Sequence, residues 1–142
     1  MQLTLHTDYA LRLLIRLAQG QSQNGLVQIA DVASEHDISL AHLRKVANHL
    51  GRLGFIETVR GRGGGIRLAR EASRITLAEV VQATEPGMDL VNCAGCGLAP
   101  GGCRLPDVFA QGLRAFMDVL SRHTLADALE RPERYASLVA SR

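Results

Sequence analysis

The chain has 142 residues, a net charge of +2 at pH 7 and an apolar fraction of 46%, which suits one ordinary domain or a small domain with a docked extension. Its apolar runs are too short for a membrane span, and Met1-Gln2-Leu3-Thr4 has neither the basic nor the apolar segment of a signal peptide. Three cysteines confined to one stretch are not a disulfide framework, so a reducing cytoplasm is the expected compartment. The charge is uneven: Arg44 to Arg74 holds eight Lys and Arg against Glu57 and Glu71, a local +6 beside −4 in the remainder. That excess is the footprint of a polyanion partner or, more plainly, a basic solvated surface.

In chain order, Thr7 is placed to cap a first helix with Leu11, Leu14, Ile15 and Ala18 at helical spacing and Asp8 in its first turn, paired with Arg12 at i+4. Gly20 ends it, Gln21 to Gly25 is a polar loop, and Val27 to Glu35 supplies a short second helix through Ile29, Ala30, Val32 and Ala33. After the turn His36-Asp37-Ile38, Ser39 caps a third helix that buries Leu43, Val46, Ala47, Leu50 and Leu53 and shows Ala41, His42, Arg44, Lys45, Asn48, His49 and Arg52 on its other face. Two short helices joined by a tight turn, the second basic on its outer face, form a helix-turn-helix whose second helix can enter a DNA major groove. Ser39, Ala41, His42, Arg44 and Lys45, in its N-terminal part, are the candidates for base and phosphate contact.

Phe55 to Arg60 alternates as a strand, Gly61-Arg62-Gly63-Gly64 turns, and Gly65 to Ala69 returns. A hairpin directly after a recognition helix is the wing of a winged helix, with Arg60 and Arg62 placed for phosphate or a minor groove; a hairpin that only closes the core is the alternative. Thr76-Leu77-Ala78-Glu79 is a capping box opening a fourth helix to about Thr84, and Glu85-Pro86-Gly87 breaks it.

Next comes a glycine-rich loop holding Cys93, Cys96 and Cys103, with Gly95, Gly97, Gly101 and Gly102 between and beside them. Its few apolar side chains cannot order it, and thiolates suit zinc, copper(I) or an iron-sulfur cluster; free or oxidised thiols are the plainer alternative. Pro106 opens a long amphipathic helix whose stripe Val108, Phe109, Leu113, Phe116, Met117 and Leu120 reads as a dimer seam, or else packs only on its own chain. One or two short helices from Thr124 through Ala140 brace it. His6, His36, His42, His49 and His123 have no mutual spacing typical of zinc ligands, and no catalytic arrangement is legible, so each histidine reads as a surface or turn residue and the chain as no enzyme.

Met1-Gln2-Leu3-Thr4 with Thr7-Asp8-Tyr9-Ala10-Leu11-Arg12, the wing Val59-Arg60-Gly61-Arg62-Gly63-Gly64-Gly65-Ile66-Arg67-Leu68, and Leu90-Val91-Asn92-Cys93 closely resemble the NsrR family of nitric-oxide-sensing repressors. That family stands with the IscR-like proteins among dimeric winged-helix iron-sulfur regulators. The resemblance implies a cytoplasmic homodimeric transcriptional repressor that binds a palindromic operator in double-stranded DNA and senses nitric oxide through an iron-sulfur cluster, 4Fe-4S in preference to 2Fe-2S. IscR-like proteins carry a histidine ligand three residues after the third cysteine, where this chain has Pro106. NsrR-like proteins use instead the aspartate of Thr-Asp-Tyr from the other subunit, which maps onto Asp8. The implied ligands are then Cys93, Cys96, Cys103 and Asp8, with Arg12 orienting the carboxylate. The chain departs from the family pattern in the close spacing of Cys93 and Cys96.

The expected fold is mainly α with a small β-hairpin: a winged helix-turn-helix over 1–84, a cluster-binding cysteine loop over 85–106, and a long dimerisation helix with C-terminal helices over 107–142. The rival functions are an IscR-like regulator of cluster supply and a zinc-bound or thiol-redox DNA-binding regulator.

Overall fold

A computed structural model describes residues 2–20, 25–94, 96–97 and 102–129. Helix α1 (Leu5–Gly20) runs through the middle of the fold. Its cap is Thr4, not Thr7: the Thr4 carbonyl accepts from Asp8 N–H at 2.9 Å and its Oγ1 from Thr7 N–H at 3.3 Å. Thr7 lies inside the helix, fully buried, on the face that carries Ala10, Leu13, Leu14, Leu17 and Ala18. Leu11 and Ile15 are only half-buried at its flank. Leu11, Leu13, Leu14, Ile15 and Leu17 offer more than one apolar face at helical spacing, and the packing partners of α1 choose among them.

Helix α2 (Ile29–Glu35) begins two residues later than expected, because Val27 is drawn into an antiparallel bridge with Ile66. Of the residues expected to bury it, Val32 and Ala33 do and Ala30 does not. Helix α3 (Leu40–Arg52) buries Leu43, Val46, Ala47 and Leu50. Ser39 stands at its N-cap position with its carbonyl accepting from Leu43 at 2.9 Å, yet its side chain makes no capping bond.

Both helices end in the same device, in which the chain turns left-handed one residue past the C-cap and bonds back onto the last turn. After α2, Asp37 takes φ 52° while its N–H bonds to Ser34 and that of Ile38 to Ala33. After α3, Gly54 takes φ 78° while its N–H bonds to Gly51 and that of Phe55 to Leu50. Each turn drops an apolar residue, Ile38 or Phe55, into the core. Leu53, expected inside, is left exposed at the bend.

Strands β1 (Ile56–Val59) and β2 (Gly65–Leu68) pair antiparallel in the register Ile56 to Leu68 and Val59 to Gly65. Inside the hairpin, a Cβ on Gly64 would stand 2.2 Å from the Val59 carbonyl oxygen, so only glycine fits there. A 3-10 turn (Ala72–Arg74) leads to α4 (Leu77–Thr84), whose capping box forms as expected: Thr76 accepts from Glu79 N–H at 3.1 Å and Glu79 accepts from Thr76 N–H at 2.9 Å. Helix α5 (Leu105–Ser121) packs along α4, and α6 (Leu125–Leu129) comes back to α1.

That return closes the core. Leu77 N–H bonds to the His123 carbonyl at 2.8 Å, Leu125 N–H to that of Ile75 at 2.9 Å, and the Leu125 side chain is fully buried with Leu13, Leu14 and Val80. Of the helices expected over Thr124 to Ala140 to brace the long helix, α6 is present but packs on α1 and the 3-10 turn; from residue 130 the expectation lies outside the described residues, as do residues 21–24 of the polar loop and Gly95 and 98–101 of the cysteine loop.

Candidate nucleic-acid interface and cysteine loop

Ion pairing divides the basic residues of the first 84. Arg12 pairs with Asp8, Arg16 with Glu35, Arg67 with Glu57, Arg70 with Glu79 and Arg74 with Glu71. Among the described residues Arg44, Lys45, Arg52, Arg60 and Arg62 make no salt bridge, and all are exposed on α3 or the hairpin. The sequence footprint of eight therefore shrinks: Arg67, Arg70 and Arg74 are neutralised locally, and Arg70 also lies over the Phe55 ring at 5.4 Å. Five cations that form no salt bridge among the described residues, gathered on the two elements that a winged helix offers to DNA, leave their charge for phosphates.

Of the expected contacts, Ser39, Ala41, His42, Arg44 and Lys45 are exposed at the start of α3, and Arg60 and Arg62 at the hairpin turn. His42 is also engaged from behind, its ring edge-on to Tyr9 of α1 at 5.3 Å. Asn48 and Arg52 continue the exposed stripe; periodicity places them on the outer face, and only the pairing pattern singles out Arg52.

The histidines correct the sequence reading. His6 and His49, 43 residues apart, meet Nε2 to Nδ1 at 2.8 Å and join α1 to α3. Burial, then the neighbouring His49 and His42 rings, hold the His6 imidazole below its ordinary value of 6.5 against the opposing pull of Glu85. No spacing rule finds a pair that tertiary packing creates.

Glu85, the last residue before the loop-opening Pro86, reaches back to the start of α1. Its Oε1 accepts from Thr4 N–H at 2.8 Å and Thr4 Oγ1 at 3.1 Å. Burial pushes this carboxyl up, but interactions with Thr7 and Thr4 outweigh it and hold the group below the usual carboxylate range. The base of the cysteine loop is thereby stitched to the helix that carries Asp8. Asp8 itself sits 3.0 Å from Arg12, both half-exposed.

In the loop, Asn92 Oδ1 accepts from Ala94 N–H at 2.9 Å and Cys96 N–H bonds to the Cys93 carbonyl at 3.2 Å, a turn with a thiol at each end. Cys93 and Cys96 are exposed and Cys103 half-buried, which leaves the sulfurs accessible to a soft metal centre. Among the described residues of a single chain, no three metal-binding side chains gather into one cluster.

Helix α5 buries none of its 17 residues. Leu113, Met117 and Leu120 of the predicted seam are half-buried, whereas Leu105, Val108, Phe116 and Val119 form an exposed line with Gly112 at its centre. The apolar face is thus wider than the sequence stripe and is rotated toward Leu105 and Val119. Among the described residues no helix is long and apolar enough to cross a membrane.

The profile of the Rrf2 family, described as iron-dependent transcriptional regulator, matches residues 3–131. The chain belongs to the Rrf2 family. It is 46% identical over 132 residues to the HTH-type transcriptional regulator NsrR of Shouchella clausii, covering 89% of this chain and 87% of that one. Identity to the NsrR of Bacillus licheniformis is 43%, covering 99% and 100%. Among solved structures, the oxidized form of Staphylococcus aureus CymR superposes with a TM-score of 0.77 at 25% identity, over 94% of this chain and 99% of that one. T. potens IscR, at 23% identity, shares the fold with a TM-score of 0.77 over 95% and 90%. The chain is therefore a winged-helix, DNA-binding transcriptional regulator of the Rrf2 family and not an enzyme, as its sequence led one to expect.

Proposed function

We propose that this regulator is a cytoplasmic homodimeric repressor that releases a palindromic operator when nitric oxide reaches an iron-sulfur cluster, 4Fe-4S in preference to 2Fe-2S. The ligands are Cys93, Cys96 and Cys103 of one subunit with Asp8 of the other, and such a cluster supplies a centre whose ligands nitric oxide displaces. The resemblance to NsrR and the donor set support this assignment; Pro106, where an IscR-like protein has a histidine ligand, weighs against the regulator of cluster supply.

One observation carries the reading: the Glu85 carboxylate on Thr4. Through it the loop base holds the first turn of α1, and that turn presses on α3 through His6 and Tyr9. A change in the loop is therefore felt at the recognition helix without crossing the core. A hundredfold change in DNA affinity needs only about 2.7 kcal/mol of coupling. Arg12, 3.0 Å from Asp8, would orient that carboxylate toward a metal centre.

The division of labour follows: 1–84 binds DNA, 85–106 holds the cluster, and 107–142 makes the dimer, its seam the exposed line Val108, Phe116 and Val119, which Leu105 at the start of α5 extends. Gly112 lies mid-line with open space where a side chain would stand, which lets a second helix approach closely. Arg44 and Lys45 read the groove while Arg60 and Arg62 act from the wing.

The test is Asp8→Ala, purified without oxygen. The variant keeps fold and dimer but has an altered or less stable visible spectrum and an altered nitric oxide response. Identity with the parent in both would remove Asp8 from the ligand set; a colourless parent would return the loop to a zinc or thiol-redox role.

A further inference from the structure

We propose that the groove between the first turn of α1 and the second half of α3 is a seat for a backbone phosphate of bound duplex DNA, held by Lys45, Asn48, His49 and Arg52 and braced by His6. The inference rests on this chain being a DNA-binding regulator and assigns a contact that the wing does not make and that the start of α3 shares only through Lys45.

The groove is lined by Thr4 and His6 at the start of α1, by Lys45, Asn48, His49 and Arg52 from α3, and by Thr84 and Pro86 after α4. The four α3 positions follow i, i+3, i+4, i+7, so they share one face over two turns, about 10 Å along the axis. All four side chains can donate hydrogen bonds, and Lys45 and Arg52 have no salt bridge among the described residues. The acid that acts on His6 is Glu85, whose carboxylate is committed to Thr4. Among the described residues no Asp or Glu lines the groove, and the ionised Glu85 carboxylate behind Thr4 is outnumbered by Lys45 and Arg52, so the fixed charge there stays net positive.

The histidine contact gives the seat its geometry. A 2.8 Å bond between His6 Nε2 and His49 Nδ1 uses one proton, and two neutral rings can supply it in either sense. When His6 donates, the His49 proton must lie on Nε2, and His49 then offers that N–H to an anion. A phosphate selects this tautomer and fixes the His49 ring against α1.

The ligand is a DNA phosphate rather than a free anion because Lys45, Asn48 and Arg52 stand on the exposed stripe that begins at Ala41, the face by which α3 enters the groove. Phosphates flank a major groove on both sides and are met by the flank of an inserted helix. A phosphate seated here touches α1 and α3 together, so DNA would bind most tightly when the helix that carries Asp8 is correctly placed on the recognition helix.

The experiment uses the full-length protein and a random-sequence duplex of about 20 base pairs, two turns of B-DNA. Imidazole nitrogen spectra are recorded with added duplex, and separately with inorganic phosphate. The seat predicts that His6 and His49 signals shift with duplex, and that phosphate perturbs them only weakly. His49→Ala should weaken duplex binding about tenfold, with recovery in His49→Gln, which keeps a donor. Arg52→Ala should lower the salt slope by about 0.9, the step expected when one phosphate is no longer neutralised.

Unmoved His6 and His49 signals would overturn the proposal while Arg62→Ala, if it still weakens binding, leaves the DNA-binding role intact. Shifts with phosphate and none with duplex would make the groove a free-anion site and overturn it equally. Failure of the parent to bind duplex at all would instead remove the DNA-binding reading on which the seat depends.

Discussion

The winged-helix unit and the helix that follows it solve the burial problem in opposite ways. In the first, Leu13, Leu14, Leu43, Leu50 and Ile75 are sealed from water by elements that all come from the same chain. In the second, α5 keeps Leu105, Val108, Phe116 and Val119 more than a third exposed, and none of its residues is buried. A face of that kind marks an interaction site in a soluble protein. The contrast separates what the chain specifies alone, a DNA reader, from what the proposed dimer and cluster would complete.

The first way to break the comparison is at Leu125, which crosses it: the residue follows α5 in sequence yet belongs to the core of the reader. Leu125→Ala should cost about 2–5 kcal/mol of unfolding free energy in denaturant titration. A loss below about 1 kcal/mol, less than a buried leucine normally costs, would mean that the reader folds without its C-terminal return.

Phe116→Glu tests the other side. A charge on the exposed line should leave the melting curve of the reader in place but weaken self-association at least a hundredfold, or about 2.7 kcal/mol, by sedimentation. An unchanged monomer–dimer equilibrium would move the seam off this face.

Within the reader, Arg62 and Arg44 should part company. Arg62→Ala weakens binding to operator and random duplex alike by roughly threefold to tenfold and flattens the salt dependence, whereas Arg44→Ala alters the preference between sequences. Equal losses on both duplexes for both variants would abolish that division.

The smallest effects concern local geometry. Thr76→Ala should cost about 1 kcal/mol through the capping box. The backbone N–H of Thr76, with help from Arg70, holds the Glu79 carboxyl below its ordinary value despite partial burial. A carboxyl lowered on folding stabilises the fold above its unfolded pKa and ceases to do so as pH falls through the folded one. Melting temperatures measured from neutral pH downward should therefore begin to converge for parent and Glu79→Gln as pH falls through the ordinary carboxylate range, and should meet below the lowered folded value. A gap that persists in acid would assign the effect to packing.

How much of this was legible beforehand depended on whether the signal was local. The capping box, the helix-turn-helix and the hairpin with its turn glycines are written in neighbouring residues, and the structure has all of them. Thr7 and Thr4 show where locality fails, since both are good caps and the choice falls to Thr4 because Glu85, 81 residues away, also holds it. Leu13 and Leu17 were hidden by an excess of apolar faces on α1, and Val27 by a bridge to the distant Ile66. The candidate site divides along the same line. The cysteines and the basic run are composition, whereas the His6–His49 contact and the pairing that silences Arg67, Arg70 and Arg74 are products of the fold.

The central claim is that the cysteine loop reports to the recognition helix. Its most direct test is the visible spectrum of protein purified without oxygen, titrated with nitric oxide while duplex binding is followed in the same samples. A coloured dimer whose absorbance bleaches in step with release of DNA is the expected result. A coloured protein that bleaches while its DNA affinity stays constant, or a colourless one that nitric oxide leaves unaffected, would contradict it.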